Sequence, residues 1–210
     1  MQSVRSHAPE APARSPQEAC LRVIQHEHAA LSAVLRSILL MLDHGPDKQP
    51  ERFFDVLRSM LFYIDEFPER LHHPKESNLL FPRLARVAPQ LLPVIDRLEH
   101  DHMAGEIAVR SLQHQLLAWE ILGDASRPAF EHAMRQHAAF YHEHMRLEET
   151  EVLPAARQLL TPADWQALDR AFAANGDALA GATPDPRYDR LFTRIVTHAP
   201  APIGVGKEWD

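Results

Sequence analysis

Hydrophobic positions recur along most of the chain at alternating spacings of three and four. Leu21, Ile24, His28, Leu31, Leu35, Ile38 and Leu42 form one such stripe, the mark of a helix with one face in a core. His44-Gly45-Pro46 ends it. A second helical segment starts near Pro50, runs through Phe54, Leu57, Leu61 and Ile64, and reaches about Val87. Pro68 and Pro74 fall inside it and predict a kink or break, because proline lacks the amide hydrogen and its ring clashes with the preceding turn. A third stripe, Leu91, Ile95, Leu98, His102, Val109, Leu112 and Leu116, predicts a helix from about Pro89 to Leu122, closed by Gly123. The fourth, from about Ser126 to Leu160, carries Phe130, Met134, His137, Tyr141, His144 and Glu148.

Thr161-Pro162-Ala163-Asp164 is a helix start, with a Thr cap, Pro in the first position and an acid in the first turn. It predicts a short fifth helix through Phe172, ending near Asn175-Gly176, and residues 187–198 predict one more. Residues 1–16 mix Pro, Ala, Ser and charge without periodicity and read as a disordered lead-in. The expected fold is therefore all-α. Four long helices with short connections form an up-down-up-down bundle over residues 17–160, followed by a helical extension and a Pro/Gly-rich tail over 161–210.

Polar residues on an apolar stripe need an explanation, since a buried imidazole or carboxylate is costly unless paired or bound to metal. Here they recur in register. His72-His73-Pro74-Lys75-Glu76 continues to Pro82, and His144-Met145-Arg146-Leu147-Glu148 continues to Pro154. Each is His-x-x-x-Glu with a Pro six residues after the Glu, and the copies lie 72 residues apart. Gln25-His26-Glu27-His28 and Glu99-His100-Asp101-His102 repeat at an offset of 74. In each, the second His lies on the stripe, while His26 and His100 fall on the solvent side. The chain thus reads as two copies of one helical hairpin, each offering a His from its first helix and a His-x-x-x-Glu from its second. Positions i and i+4 share a helix face. Two hairpins face to face would gather His28, His72, Glu76, His102, His144 and Glu148 around one point, with each carboxylate bridging two cations. His73 also shares a face with Glu76, and a kink at Pro74 would exchange it for His72; the repeat favours His72. Tyr141, on the stripe before His144, is a packing residue and a candidate hydrogen-bond donor to a bound ligand.

Composition narrows the chemistry. With 22 Lys+Arg, 29 Asp+Glu and a net charge of −7, and no block of like charge, a nucleic-acid or anionic-membrane surface is not expected. Seven glycines argue against hairpin-rich β structure and phosphate-cradling loops. Cys20 is the single cysteine, which excludes an internal disulfide framework, a thiolate zinc site and an iron–sulfur cluster held by this chain alone; it reads as an inert structural thiol. No apolar run reaches the ~18 residues of a membrane span, and the N-terminal residues show no apolar signal region. A reducing cytoplasm is the expected compartment. Nitrogen and oxygen donors without thiolate suit iron or manganese, and also accept zinc. Six protein donors leave open positions on two octahedral ions, so a small ligand such as O2, NO or peroxide can bind.

These residues resemble the hemerythrin-like family of HHE cation-binding domains over about residues 20–160. The resemblance implies a four-helix bundle around a non-haem di-iron centre with an oxo or hydroxo bridge, and ligands His28, His72, Glu76, His102, His144 and Glu148. The family's oxygen carriers have a further His one turn after the third-helix ligand. Glu106 stands there in this chain, as a candidate extra carboxylate ligand. The symmetric set is closer to di-iron proteins implicated in iron–sulfur repair. Three roles follow as expectations: a centre that binds or senses O2, NO or peroxide, an enzyme that reduces NO or peroxide or serves cluster repair, and a ferritin-like iron oxidase or store. The last would use Glu69…His72 and Glu99…His102, but it also needs a lone Glu on the first helix.

Overall fold

The first long stripe becomes helix α1 (Pro16–His44), opened by a reciprocal cap in which Ser15 and Glu18 bond each other's side chain and backbone. The computed structural model describes residues 14–46, 49–183, 185–199, 201 and 203–205, so the lead-in expected over 1–16 and the end of the tail lie largely outside the described residues. The chain continues through α2 (residues 50–87), α3 (Leu92–Leu122), α4 (residues 127–159), α5 (Pro162–Phe172) and α6 (Asp189–His198). Among the described residues there is no strand. Helices α1 to α4 form the four sides of the expected up-down-up-down bundle; α5 packs on α1, and α6 on α2. Thr161 caps α5 through a reciprocal bond with Asp164, and the helix ends in a tight turn to Asn175 followed by Gly176 at φ 63°.

The prolines do not break α2. Its regular turns, Pro50–Ile64, His73–Lys75 and Phe81–Val87, are joined by two widened π-helical stretches, Asp65–His72 and Glu76–Leu80. The same widening, Glu148–Val152, interrupts α4 at the equivalent place in the repeat. A proline ring collides with the carbonyl four residues back. Those carbonyls, of Arg70 before Pro74, Asn78 before Pro82 and Thr150 before Pro154, all lie within the widened stretches. Hydrogen bonds there reach five residues back, from His73 N–H to Pro68 O, from Phe81 N–H to Glu76 O, and from Leu153 N–H to Glu148 O. The prolines are thus accommodated by widened turns without a break in the helix.

The core has two parts. One cluster, including Leu35, Leu57, Leu112, Trp119 and Phe130, fills one end of the bundle. A second, including Cys20, Ile24, Phe81, Leu98 and Leu168, fills the other. Each fully buried side chain of this size contributes roughly 1.5–3 kcal/mol. Between the two clusters lies a polar layer: His28 follows Ile24 and precedes Leu31, and His144 sits between Tyr141 and Leu147. Burial pushes the Cys20 thiol up to about 12, in keeping with an inert packing role. Trp119 and Trp165 are buried packing residues.

Candidate metal centre

The polar layer converges on two carboxylates. Glu76 and Glu148 are 0% and 1% exposed, and all four of their oxygens are buried without a hydrogen-bond partner among the described residues. Imidazoles surround them. His28 Nε2 lies 3.3 Å from Glu148 Oε2, and His72 Nε2 lies 3.2 Å from Glu76 Oε1. His144 Nε2 is 3.2 Å from Glu148 Oε1, and His102 Nε2 is 3.5 Å from Glu76 Oε2 and 3.9 Å from Glu148 Oε1. The donors fall into two groups, each with its ligand atoms within 4.8 Å of one another: His28, His72, Glu76 and Glu148, and His73, Glu76, His102 and His144.

The other ring nitrogens are held from behind. His72 Nδ1 is 2.6 Å from Glu27, His28 Nδ1 is 3.0 Å from Glu149, and His73 Nδ1 is 3.1 Å from Glu69. His102 Nδ1 lies 2.9 Å from the Ser77 hydroxyl, which donates in turn to Glu99, and His144 Nδ1 faces Asp101 at 3.6 Å. An ionised carboxylate only accepts, so the bonds to Glu27 and Glu149 set the proton of His72 and of His28 on Nδ1 and turn each Nε2 toward the central carboxylates. Imidazoles oriented in this way are the hallmark of metal ligation.

The electrostatics of the layer point the same way. Burial disfavours the charged His28 ring, but the adjacent carboxylates of Glu148 and Glu149 outweigh it and raise its pKa to about 9. Burial likewise opposes charge on His72, and Glu76 and Glu27 overcome it, holding that ring well above its ordinary value. His73 is driven well below its ordinary value by burial and by the neighbouring rings of His102, His72 and His144. Burial opposes the charge of Glu148, and His144 and His28 hold it well below the carboxylate range. Cations placed between the same donors would displace their protons.

All six residues of the repeat therefore meet in one layer. His73 joins them rather than replacing His72: their rings sit 5.7 Å apart at 80°, because the widened turns around Pro74 let adjacent residues both face the bundle axis. Glu106 does not join. It is exposed and paired with Arg110 at 2.6 Å. Tyr141 is buried with its ring stacked 5.8 Å from His73, and its hydroxyl has no partner. That hydroxyl packs where only a glycine leaves room: a Cβ on Gly105 would meet it at 2.5 Å. Glu69 and Glu99 stand behind His73 and His102 and belong to neither group. Burial, with Glu106 and Asp65 nearby, raises Glu69 to about 8. His26 and His100 are exposed, as the helical phase requires. The sequence reading gave no role to Glu27 and Asp101, although the acid of each x-His-acid-His repeat was its available signal.

Fold and site together define a helical bundle that holds metal cations with imidazole and carboxylate donors. Residues 20–156 match the family model of the hemerythrin HHE cation binding domain, and the chain belongs to that family. No curated protein matches the sequence.

Proposed function

We propose that the layer holds two iron ions bridged by Glu76 and Glu148, and that the centre binds or senses O2, NO or peroxide. The observation that supports this most is the set of four unpartnered, fully buried carboxylate oxygens ringed by imidazoles whose Nδ1 atoms are tethered elsewhere. Burying a carboxylate costs several kcal/mol, a cost that cations held between the two would offset. His28 and His72 would serve the first cation, and His73, His102 and His144 the second. Donors without thiolate fit iron, with manganese or zinc as competing occupants. Bound iron supplies redox chemistry and an open coordination position.

The first group offers two imidazoles where the second offers three, so a small ligand would bind at the first. A cavity with room for about one water-sized molecule borders His28 and His72 and reaches His73 and His144, with Met145 and Asn175 in its wall. Its size favours a diatomic or peroxide ligand over an organic substrate. Glu69 and Glu99, the carboxylates a ferritin-like centre needs, stand one shell out, so that reading loses its support. Among the described residues no helix is long and apolar enough to cross a membrane.

Metal analysis of untagged protein, followed by anaerobic titration of the reduced form with O2 and NO, tests the proposal. Two irons per chain and a stoichiometric change in the optical spectrum are expected. A single ion, or a spectrum indifferent to both gases, sinks it. Sustained turnover of NO or peroxide with a reductant would instead place the chain among enzymes.

A further inference from the structure

The family match ends at residue 156, yet the cavity beside His28 and His72 is partly walled by residues 175 and 177. These come from the turn after α5. Asn175 is 6% exposed and donates from Nδ2 to both oxygens of Glu27, at 2.8 Å and 3.0 Å. Because a carboxylate can only accept, the amide nitrogen must be the atom facing Glu27. Glu27 Oε2 also takes the His72 Nδ1 proton at 2.6 Å. One carboxylate is thus pinned on one side by the amide and on the other by the imidazole. Asn175 is itself held in place. The neighbouring Asp177 is 2% exposed, accepts from the Tyr63 hydroxyl at 2.6 Å through Oδ2, and accepts from the Leu179 backbone N–H at 2.9 Å through Oδ1. The turn is therefore stitched to α2 by Tyr63 and to α1 by Glu27. Asn175 Oδ1 remains buried without a partner among the described residues, an acceptor left in the wall of the cavity.

In the second group the outer partners are Glu69 behind His73 and Ser77 behind His102, all within the family domain. There the related acid, Asp101, faces His144 at 3.6 Å.

We propose that the chain beyond the family domain completes one half of the metal centre: Asn175 is a positioning residue that fixes Glu27, and through it His72, while the same turn closes the cavity at the first cation. The inference rests on the two-cation reading given above. Its consequence is selective, because His72 belongs to the first group alone. Loss of Asn175 frees the Glu27 carboxylate to rotate, releases the His72 ring and weakens the first cation, leaving His73, His102 and His144 undisturbed.

Titration of the full-length apoprotein with Co2+, followed by its visible absorption, tests this without reference to activity. Wild type should bind two equivalents. Asn175→Ala should weaken one of them by about 10- to 100-fold, the range for lost outer partners of a metal-binding histidine, and leave the other within about twofold. In a Glu27→Ala background the same substitution should add less than about twofold, because residues acting through one another are not additive. Asn175→Asp keeps the shape of the turn and sets a carboxylate against Glu27, so it should reproduce the selective loss even if the alanine variant melts early. Two unchanged equivalents in both variants, or an undiminished effect without Glu27, overturn the proposal. Failure of wild type to bind Co2+ overturns the two-cation reading itself, which is a different result.

Discussion

The two hairpins place their histidines and glutamates in the same register but differ at the residue after the second histidine. In the α1–α2 hairpin that residue is His73, and in the α3–α4 hairpin it is Met145. Both are buried, at 4% and 5% exposure. The donors nevertheless cross over: His73 joins His102 and His144, whereas Met145 lines the cavity next to His28 and His72. One difference within the repeat thus leaves one donor group with three imidazoles and the other with two beside a cavity. The lesson is that pseudo-symmetry gathers the donors and a single departure from it makes the two groups unequal.

The largest effect should come from the parts the hairpins share. Glu76 contacts His72 of the first group and His102 of the second. Glu76→Ala should therefore abolish both equivalents, each weakened by more than the roughly 100-fold that outer partners command. His28→Ala should remove only the first. Metal content by elemental analysis separates the two, and a Glu76→Ala protein that retains one full equivalent would show that the carboxylate does not bridge.

A second departure concerns what each hairpin buries beside the layer. His137 in α4 is 4% exposed with Nε2 unpartnered, and the repeat sets it against Asp65 in α2. Burial lowers the His137 pKa from 6.5 to about 4. An unfolded chain takes up that proton near pH 6.5 and the folded chain only near pH 4, so between these values the unfolded state binds more protons and stability falls as pH falls. The loss over this window should approach about 3 kcal/mol. Apoprotein carrying His137→Phe should lose less stability by that amount across the same range in urea melts, and parallel curves for the two proteins would refute the assignment.

Restoring the symmetry is the sharper experiment. Met145→His would give the first group its third imidazole and fill the side of the cavity. The first cation should bind about tenfold more tightly, and NO binding to the iron-loaded reduced protein should weaken by more than about tenfold. Unchanged NO affinity would mean that the exogenous ligand binds elsewhere.

Much of this was legible in the chain because it repeats. The stripes set the six helices, and the offsets of 72 and 74 brought His28, His72, Glu76, His102, His144 and Glu148 to one layer. The choice between His72 and His73 was not legible as a pair, since the argument assumed regular α-helical phase and the prolines widen the turn instead. Glu106 was placed correctly one turn after His102, but its outward phase and its bond to Arg110 take it to solvent. Asn175 is legible as the end of α5 but carries no signal of its partner. It meets Glu27 across 148 residues of chain, and no periodicity links the α5 turn to α1.

The smallest effects should come from the outer partners that differ between the hairpins. His28 leans on Glu149 and His102 on Ser77, positions related by the repeat. The Glu149 side chain is 46% exposed, so water can take its place when it is removed. Ser77 is half-buried between His102 and Glu99, accepting from the ring and donating to the carboxylate. Loss of its hydroxyl leaves a buried ring N–H without a partner, a penalty of about 1–3 kcal/mol. Ser77→Ala should therefore weaken the second cation by about tenfold, near the lower end of outer-partner effects, and leave the first unchanged. Glu149→Ala should weaken the first by no more than about threefold, because solvent screens an exposed partner. Co2+ titration reads both. A larger loss from Glu149 than from Ser77 would mean that net negative charge near the layer, rather than the aim of each ring, governs how tightly the cations are held.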